Sequence, residues 1–322
     1  MKAIVINQYG GPEVLKLEDV EIGKPGKGQA LIRLAAAGVN FVEIYQRRGT
    51  YTRKLPYIPG SEGAGVVEAV GEGVTLFKPG DRVAYVHEPG SYAEASIVNA
   101  DSLISLPPEF TFEQGAAFPL QGMTAHYLIH EFRKPQPGDV VLIHAAAGGM
   151  GLLLVQWAKH LGARVIGTTS TEEKADMARK AGASDVILYT KQNFVTEIKN
   201  LTNGHGADLI IDGVGKTTFA GNLEAAARRG NIVIYGAASG LADPIAPNSL
   251  MARSLTVSGG SLPNYLLTRE EMLKRAQAVI KGIQEKCLKL TIDKVIPLAQ
   301  AAEAHRLLEN RQTVGKLVLS IG

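Results

Sequence analysis

The sequence predicts an α/β protein in which a Rossmann-type, doubly wound parallel sheet accompanies a separate β-rich domain. Three observations predict it. From Asp139 onward, short apolar β-type runs alternate with helical patterns, as βαβ units of a parallel sheet require. Roughly the first 120 residues instead consist of short strands divided by glycine turns. At the start of the alternating part, Asp139 to Ala158 reads as a buried strand, a tight glycine turn and a helix.

In the first part, Lys2–Asn7, Gln29–Ala36, Ala64–Val70 and Arg82–Tyr85 are rich in β-branched and aliphatic residues and are expected as strands. Turns are expected at Gly10-Gly11-Pro12, Pro25-Gly26, Pro59-Gly60 and Pro79-Gly80-Asp81. The expected result is a partly open barrel, left by a helix over Pro119–Phe132. Strands are then expected at 139–145, 163–168, 185–189, 207–212, 231–235 and 254–258. Helices are expected at 149–161, 171–181, 192–202, 216–228 and 269–285. The last segment offers a strand over Lys294–Pro297, a helix over Leu298–Asn310 and a strand over Lys316–Ile321. It is too short to stand alone and is expected to return to the first domain. No internal repeat or low-complexity tract interrupts this plan.

The glycine turn carries the first chemistry. Ala146-x-Gly148-x-x-Gly151 fits G-x-G-x-x-G with Ala in the first slot. Gly148 would let backbone approach a pyrophosphate, and Gly151 would let helix pack on strand. The N–H groups of Gly148, Gly149, Met150 and Gly151 would face the anion at the helix N-terminus. The next strand ends in Thr168-Thr169-Ser170-Thr171, where NAD-binding units carry an Asp or Glu for the ribose hydroxyl. No carboxylate stands there to repel a 2′-phosphate. Thr169 and Ser170 offer hydroxyls, and Lys174 follows a turn into the next helix. The expectation is NADPH rather than NADH. The same residues also suit a helix cap, with Ser170 or Thr171 as N-cap. Asp212-Gly213-Val214-Gly215 ends the fourth strand of this part, at the carboxyl edge where such sheets bind ligands.

Composition bounds the rest. The 322 residues suit two domains, and 45% hydrophobic with 20% charged residues describes a globular chain with a core. Lys+Arg 34 against Asp+Glu 31 gives a formal charge of +3, too mild to indicate nucleic-acid binding. Cys287 is the single cysteine, so no intramolecular disulfide forms and a reducing, cytoplasmic setting is expected. Met1-Lys-Ala-Ile-Val-Ile-Asn7 reads as a strand and not a signal peptide. Val140 to Ala158, broken by His144 and glycines, is not read as a membrane span. The seven histidines show no H-x-x-x-H set with a third ligand near in sequence, although His126 and His130 lie four apart on a helix. No metal is expected.

The whole chain resembles the zinc-independent medium-chain dehydrogenases/reductases, specifically the quinone oxidoreductase (zeta-crystallin-like) family. The resemblance is carried by Tyr9-Gly-Gly-Pro-Glu-Val-Leu15, Gly38-Val-Asn-Phe41, Pro59-Gly-Ser-Glu-Gly-Ala-Gly65 and Pro79-Gly-Asp-Arg-Val83. Leu120-Gln-Gly-Met-Thr124, His144-Ala-Ala-Ala-Gly-Gly-Met-Gly151 and Ala181-Gly-Ala183 complete it in family order. It implies a GroES-like catalytic domain over 1–122 and 287–322, a Rossmann domain over 123–286, and an active site in the cleft between them. Zinc-dependent relatives carry Cys where Asn40 stands, His where Ser61 stands, and a four-cysteine lobe. Asn and Ser are poor zinc ligands. Glu62 remains, and in a glycine-rich turn it is expected to bond backbone.

Family likeness also implies roles. Asn40, Tyr45 and Tyr51 are expected around the reacting centre, Asn40 bonding the nicotinamide ribose or the acceptor oxygen, and the tyrosines stacking on a planar acceptor or donating a proton. The alternative for Tyr45 is a half-buried amphipathic tyrosine with no catalytic role. Thr124, at the start of its helix, is expected near the ribose. Lys174 and Tyr189 are expected at the 2′-phosphate and adenine. Gly213, Gly236, Ala237 and Ser239 are expected to line the cofactor, Ser258 to meet the carboxamide, and Arg311 to lie near the cofactor. Where the family has bulkier residues, Gly259 and Gly260 suggest a wider acceptor pocket. The implied activity is NADPH:quinone reduction, with reduction of an enone or enoyl double bond as the near alternative. A non-catalytic NADPH-binding protein, structural or RNA-binding, is the distant one. A homodimer is implied through the strand near Ser254–Ser258.

Overall fold

The computed structural model describes residues 1–322, arranged in two compact units. The first comprises Met1–Gln121, Leu267–Ala276 and Leu290–Gly322, and the second Gly122–Leu266 and Gln277–Lys289.

In chain order the first unit contains β1 (Lys2–Val5), β2 (Lys16–Asp19), β3 (Gln29–Val39), α1 (Phe41–Arg47), β4 (Glu62–Val70), β5 (Arg82–Val86), β6 (Ala95–Asn99), β7 (Leu103–Ser105), α2 (Phe112–Ala117) and the start of α3 (Pro119–Tyr127). The second contains β8 (Val140–Ile143), α4 (Gly149–His160), β9 (Arg164–Thr169), α5 (Glu172–Ala181), β10 (Asp185–Leu188), α6 (Phe194–Leu201), β11 (Ala207–Asp212), α7 (Phe219–Ala225), β12 (Ala226–Ile234) and β13 (Thr256–Gly259). Then come α8 (Arg269–Gln284) and, in the first unit, β14 (Ile292–Pro297), α9 (Ala301–Glu309) and β15 (Lys316–Ser320). No helix is long and apolar enough to cross a membrane.

The first unit is organised on β3. Its first half alternates between buried and less buried residues, and its last four residues are buried. The alternation marks one covered face, and the continuous run marks cover on both. β4 lines one side of β3, while β6 and then β15 line the other. The strand order β14-β15-β3-β4-β5-β7, with β6 branching from β3, leaves the sheet open, as expected. Ile32, Leu34, Val67, Tyr85, Leu103 and Leu317 form the centre of its core. The C-terminal segment returns to this unit because β15 pairs antiparallel with β3, Leu317 opposite Val39.

The second unit is a six-stranded sheet, β10-β9-β8-β11-β12-β13, and every neighbour pair is parallel. Renumbered from its first strand, the order is 3-2-1-4-5-6, that of a doubly wound dinucleotide-binding sheet. β8 is buried along its whole length. α4 buries Leu152, Leu153, Leu154, Val155, Trp157 and Ala158, most of its circumference, as a helix covered by neighbours does.

Two expectations change. The helix expected over 216–228 is only α7, because Ala226 already pairs with Ala207 in the sheet. Between that pair and Leu209 opposite Asn231 the register shifts, and Arg229 takes a φ of 62° in the bulge. Helix α1 was not expected, although Asn40 to Glu43 spells a capping box: the Glu43 carboxylate accepts from the Asn40 N–H at 2.8 Å.

Candidate functional site

Strand register in the second unit gathers the carboxyl ends of its strands on one edge. Ile143 lies opposite Gly167 and Ile211, and Asp212 opposite Ile234. Most of the residues expected to hold a dinucleotide leave the sheet there.

The turn after β8 is built by absence of side chains. Ala145 sits at φ 52°, and Gly148 caps α4. A Cβ on Gly151 would lie 2.3 Å from the Ala145 carbonyl oxygen and 2.7 Å from Ala146 backbone, so only glycine fits. One on Gly148 would lie 3.3 Å from the same oxygen. Ala146 is fully buried, and a Cβ on Gly167 of β9 would press on its methyl at 2.6 Å. The first slot therefore accepts alanine because Gly167 makes room for it. Gly149, Met150 and Gly151 open α4, so their N–H groups have no acceptor within the helix. Such a cradle fits the phosphates of a dinucleotide.

A buried polar network holds this edge. His144 lies between the Thr168 hydroxyl (Nδ1, 3.0 Å) and the Asn222 amide oxygen (Nε2, 2.7 Å). Burial pushes its pKa below the ordinary value, keeping it neutral. Asn222 donates to Asp212 at 2.6 Å, and Asp212 also accepts from the Val214 N–H (2.7 Å), the Gly215 N–H and the Thr218 hydroxyl. Three strand ends are thus joined by fully satisfied hydrogen bonds. Each lost partner would leave a buried group at a cost of about 1–3 kcal/mol. A polar residue at the end of an apolar strand was the sequence signal for His144 and Asp212, whereas Asn222 gave none.

Thr169 is buried at the end of β9, and Ser170 is half-buried. The N-cap of α5 is Thr171, whose side chain accepts from the Lys174 N–H, which settles the choice between Ser170 and Thr171. Lys174 is half-buried one turn into α5. The Tyr189 N–H donates to the Thr169 carbonyl at 3.1 Å, so its exposed ring leaves the sheet beside Thr169. Around Gly213 the packing is again tight, because a Cβ there would meet the Tyr235 ring at 2.6 Å. Gly236 closes on the Gly213 carbonyl, where a Cβ would come within 2.8 Å. Ala237 follows it, and the Ser239 hydroxyl donates to the Val214 carbonyl (2.8 Å) and accepts from the Thr217 N–H (3.1 Å). Ser239 therefore ties the turns after β11 and β12 together. Ser258 lies half-buried in edge strand β13. Thr124 is buried and sits in the middle of α3, not at its start. Gly259 is open, but a Cβ on Gly260 would strike Tyr127 at 2.6 Å and Phe132 at 3.0 Å. At Gly260 the space freed by the small residue is filled by rings and does not widen a pocket.

Arg311 belongs to the first unit, exposed in the turn after α9 at φ 56°. In that unit Tyr45 and Tyr51 meet edge to face, ring centroids 5.3 Å apart, Tyr45 half-buried on α1 and Tyr51 exposed. Asn40 lies at the end of β3, 5% exposed. Its Oδ1 accepts from Lys316 Nζ at 2.5 Å, and its Nδ2 donates to Glu62 Oε1 at 2.8 Å. Glu62 is fully buried in β4, also receives Lys316 Nζ at 2.5 Å, and accepts the Leu120 N–H at 2.7 Å on its other oxygen. The expected backbone bond is there, but Glu62 is mainly one half of a buried ion pair. Glu43 lies beside this cluster, and burial pushes its carboxyl up to about 7 against the opposing pull of Ser61 and Lys316. Lys316 had no local signal, being 276 residues from Asn40. No three His, Cys, Asp or Glu side chains come together in a way that could hold a metal.

A six-stranded parallel sheet of this order, with a glycine turn at its first crossover, defines a dinucleotide-binding protein. The alcohol dehydrogenase GroES-like domain family matches residues 26–108, and the zinc-binding dehydrogenase family matches residues 149–279. The chain is 42% identical to a Burkholderia 2-haloacrylate reductase, covering 98% of each chain. It is 41% identical to the Pseudomonas aeruginosa quinone oxidoreductase over 99% of each. The crystal structure of the Escherichia coli quinone oxidoreductase complexed with NADPH matches at 37% identity and a TM-score of 0.96, over 99% of this chain and 100% of that one. The chain belongs to the quinone oxidoreductase family of medium-chain dehydrogenases/reductases.

Proposed function

We infer that the protein is an NADPH-dependent quinone oxidoreductase. The observation that carries this reading is the glycine cradle at α4 beside a β9 end with hydroxyls and no carboxylate, in a chain 41% identical to a quinone oxidoreductase. Gly148, Gly149, Met150 and Gly151 would hold the pyrophosphate, and Thr169, Ser170, Lys174 and Tyr189 the adenosine 2′-phosphate. Gly213, Gly236, Ala237, Ser239, Ser258 and Thr124 would complete the cofactor site. When bound, NADPH supplies the hydride. An electron-poor quinone needs no Lewis acid to accept it, so positioning and hydrogen bonding suffice. Asn40 would bond the acceptor oxygen or the ribose. Tyr45 and Tyr51 would stack on a planar acceptor or pass a proton to it.

A second reading, reduction of a conjugated carbon–carbon double bond, is favoured by the 42% identical relative named 2-haloacrylate reductase. It uses the same cofactor site and differs only in the acceptor. The test follows nicotinamide absorbance while NADPH and NADH are crossed with para-benzoquinone, phenanthrenequinone, an enone, 2-chloroacrylate and an enoyl-CoA. Fast NADPH-selective turnover of quinones supports the first reading, and preference for the enone, haloacrylate or thioester supports the second. We also propose a homodimer through β13, which ends its sheet with one side unpaired. Light scattering that gives a monomer mass would reject it.

A further inference from the structure

We propose that Lys316 and Glu62 are positioning residues that lock the Asn40 amide as a hydrogen-bond donor to the carbonyl oxygen of the acceptor. The proposal rests on the reading that Asn40 faces the acceptor.

Three strand ends converge to make the lock. Ala37 lies opposite Gly63 in β4 and Val39 opposite Leu317 in β15, which brings Glu62 and Lys316 to either side of Asn40 at the end of β3. Gly38 leaves the room, since a Cβ there would lie 2.3 Å from Glu62 Oε1. An ammonium only donates and a carboxylate only accepts. The amide between them therefore has one orientation, carbonyl toward Lys316 and nitrogen toward Glu62, and turning it over would set two donors against each other. Glu62 is fixed in turn by the Leu120 N–H, and the Asn40 backbone by Glu43. One Nδ2 proton is engaged by Glu62, and the second would bond the acceptor. A buried ion pair is a weak source of stability compared with apolar packing, so its retention here is better explained by orientation.

A fixed N–H donor suits a particular chemistry. As the acceptor takes up hydride from NADPH, the electron pair of its carbonyl π bond, directly or through conjugation, moves onto oxygen. The Asn40 N–H stabilises that oxygen, and solvent supplies the proton that completes reduction. A donor held in place before the charge develops need not reorganise, which is why such groups matter in the transition state more than in the ground state.

The test compares the wild type with the charge-neutral pair Lys316→Met/Glu62→Gln. The expected result is a folded protein by circular dichroism, NADPH affinity within about twofold, and kcat for para-benzoquinone lower by about 10- to 100-fold with little change in KM. A folded variant with kcat within about twofold of wild type overturns the proposal. If the pair does not fold, the decision passes to the wild type itself, by nuclear magnetic resonance of the Asn40 side-chain amide. One Nδ2 proton protected from solvent exchange supports the lock; both protons exchanging as fast as those of an exposed asparagine overturn it. That measurement needs no turnover. A wild type that reduces no acceptor would therefore sink the functional reading without touching the amide result.

Discussion

Replacing Gly151 by alanine adds a single methyl group to the turn that begins α4. Its Cβ would lie 2.3 Å from the Ala145 carbonyl oxygen, about 1 Å short of ordinary contact, and 2.7 Å from Ala146 backbone. Those neighbours are main chain and cannot rotate away. Ala145 is already held at φ 52°, and Ala146 is pinned against Gly167, so the turn has to move as a piece. Overpacking of this kind costs about 1–3 kcal/mol of stability. A displacement near 1 Å at groups that must meet a ligand costs about 100-fold, or about 2.7 kcal/mol, in what they do. Gly148→Ala makes the internal comparison: its Cβ would meet the same oxygen at 3.3 Å, at a φ of −75° that alanine adopts freely. The expectation is an NADPH dissociation constant raised about 100-fold by Gly151→Ala and about tenfold or less by Gly148→Ala, read from cofactor fluorescence with circular dichroism as the folding check. Near-wild-type binding by Gly151→Ala would refute the claim that this turn grips the cofactor, and equal losses would place the effect at the approach of Gly148 to the pyrophosphate rather than in the packing of the turn.

Lys174→Ala is expected to weaken NADPH binding by about tenfold or more and to leave NADH binding nearly unchanged; equal losses would remove Lys174 from the 2′-phosphate site. Asn222→Ala removes the bonds to both His144 and Asp212, and is expected to cost about 2–4 kcal/mol in urea unfolding. His305 is fully buried between Tyr92 and Arg47, and burial, with the Arg47 charge, pushes its pKa from 6.5 down to about 3. The unfolded chain then binds a proton that the native state refuses, so stability is complete above about pH 6.5 and falls as pH drops toward 3, by up to about 1.4 kcal/mol per pH unit. His305→Gln removes that titration, and its unfolding free energy measured from pH 7 to 4 should lose this slope; parallel curves would reject the assignment. Treatment with EDTA is expected to leave turnover unchanged, and loss of activity that zinc restores would overturn the metal-free chemistry.

Much of the nucleotide-binding unit is written locally. Asp139 to Ala158 is strand, turn and helix in twenty consecutive residues, and the β-type runs that follow fix the parallel order by the handedness of βαβ connections. Glycine at 151 is legible because the conformation that demands it is made by its own neighbours. Helix α1 is also legible, since Asn40 and Glu43 cap it within four residues. The helix expected to 228 stops at Ala225, because pairing with β11 outweighs helix propensity. Asn40, Glu62 and Lys316 stand 22 and 254 residues apart along the chain. Sequence could name Asn40 by likeness to a family, but not the ammonium and carboxylate that orient it. Local composition determined the strands, the caps and the glycine turn, because those depend on backbone sterics and hydrogen bonds within a few residues. Which charges meet in the interior, and which way a buried amide points, was decided only when β3, β4 and β15 came together.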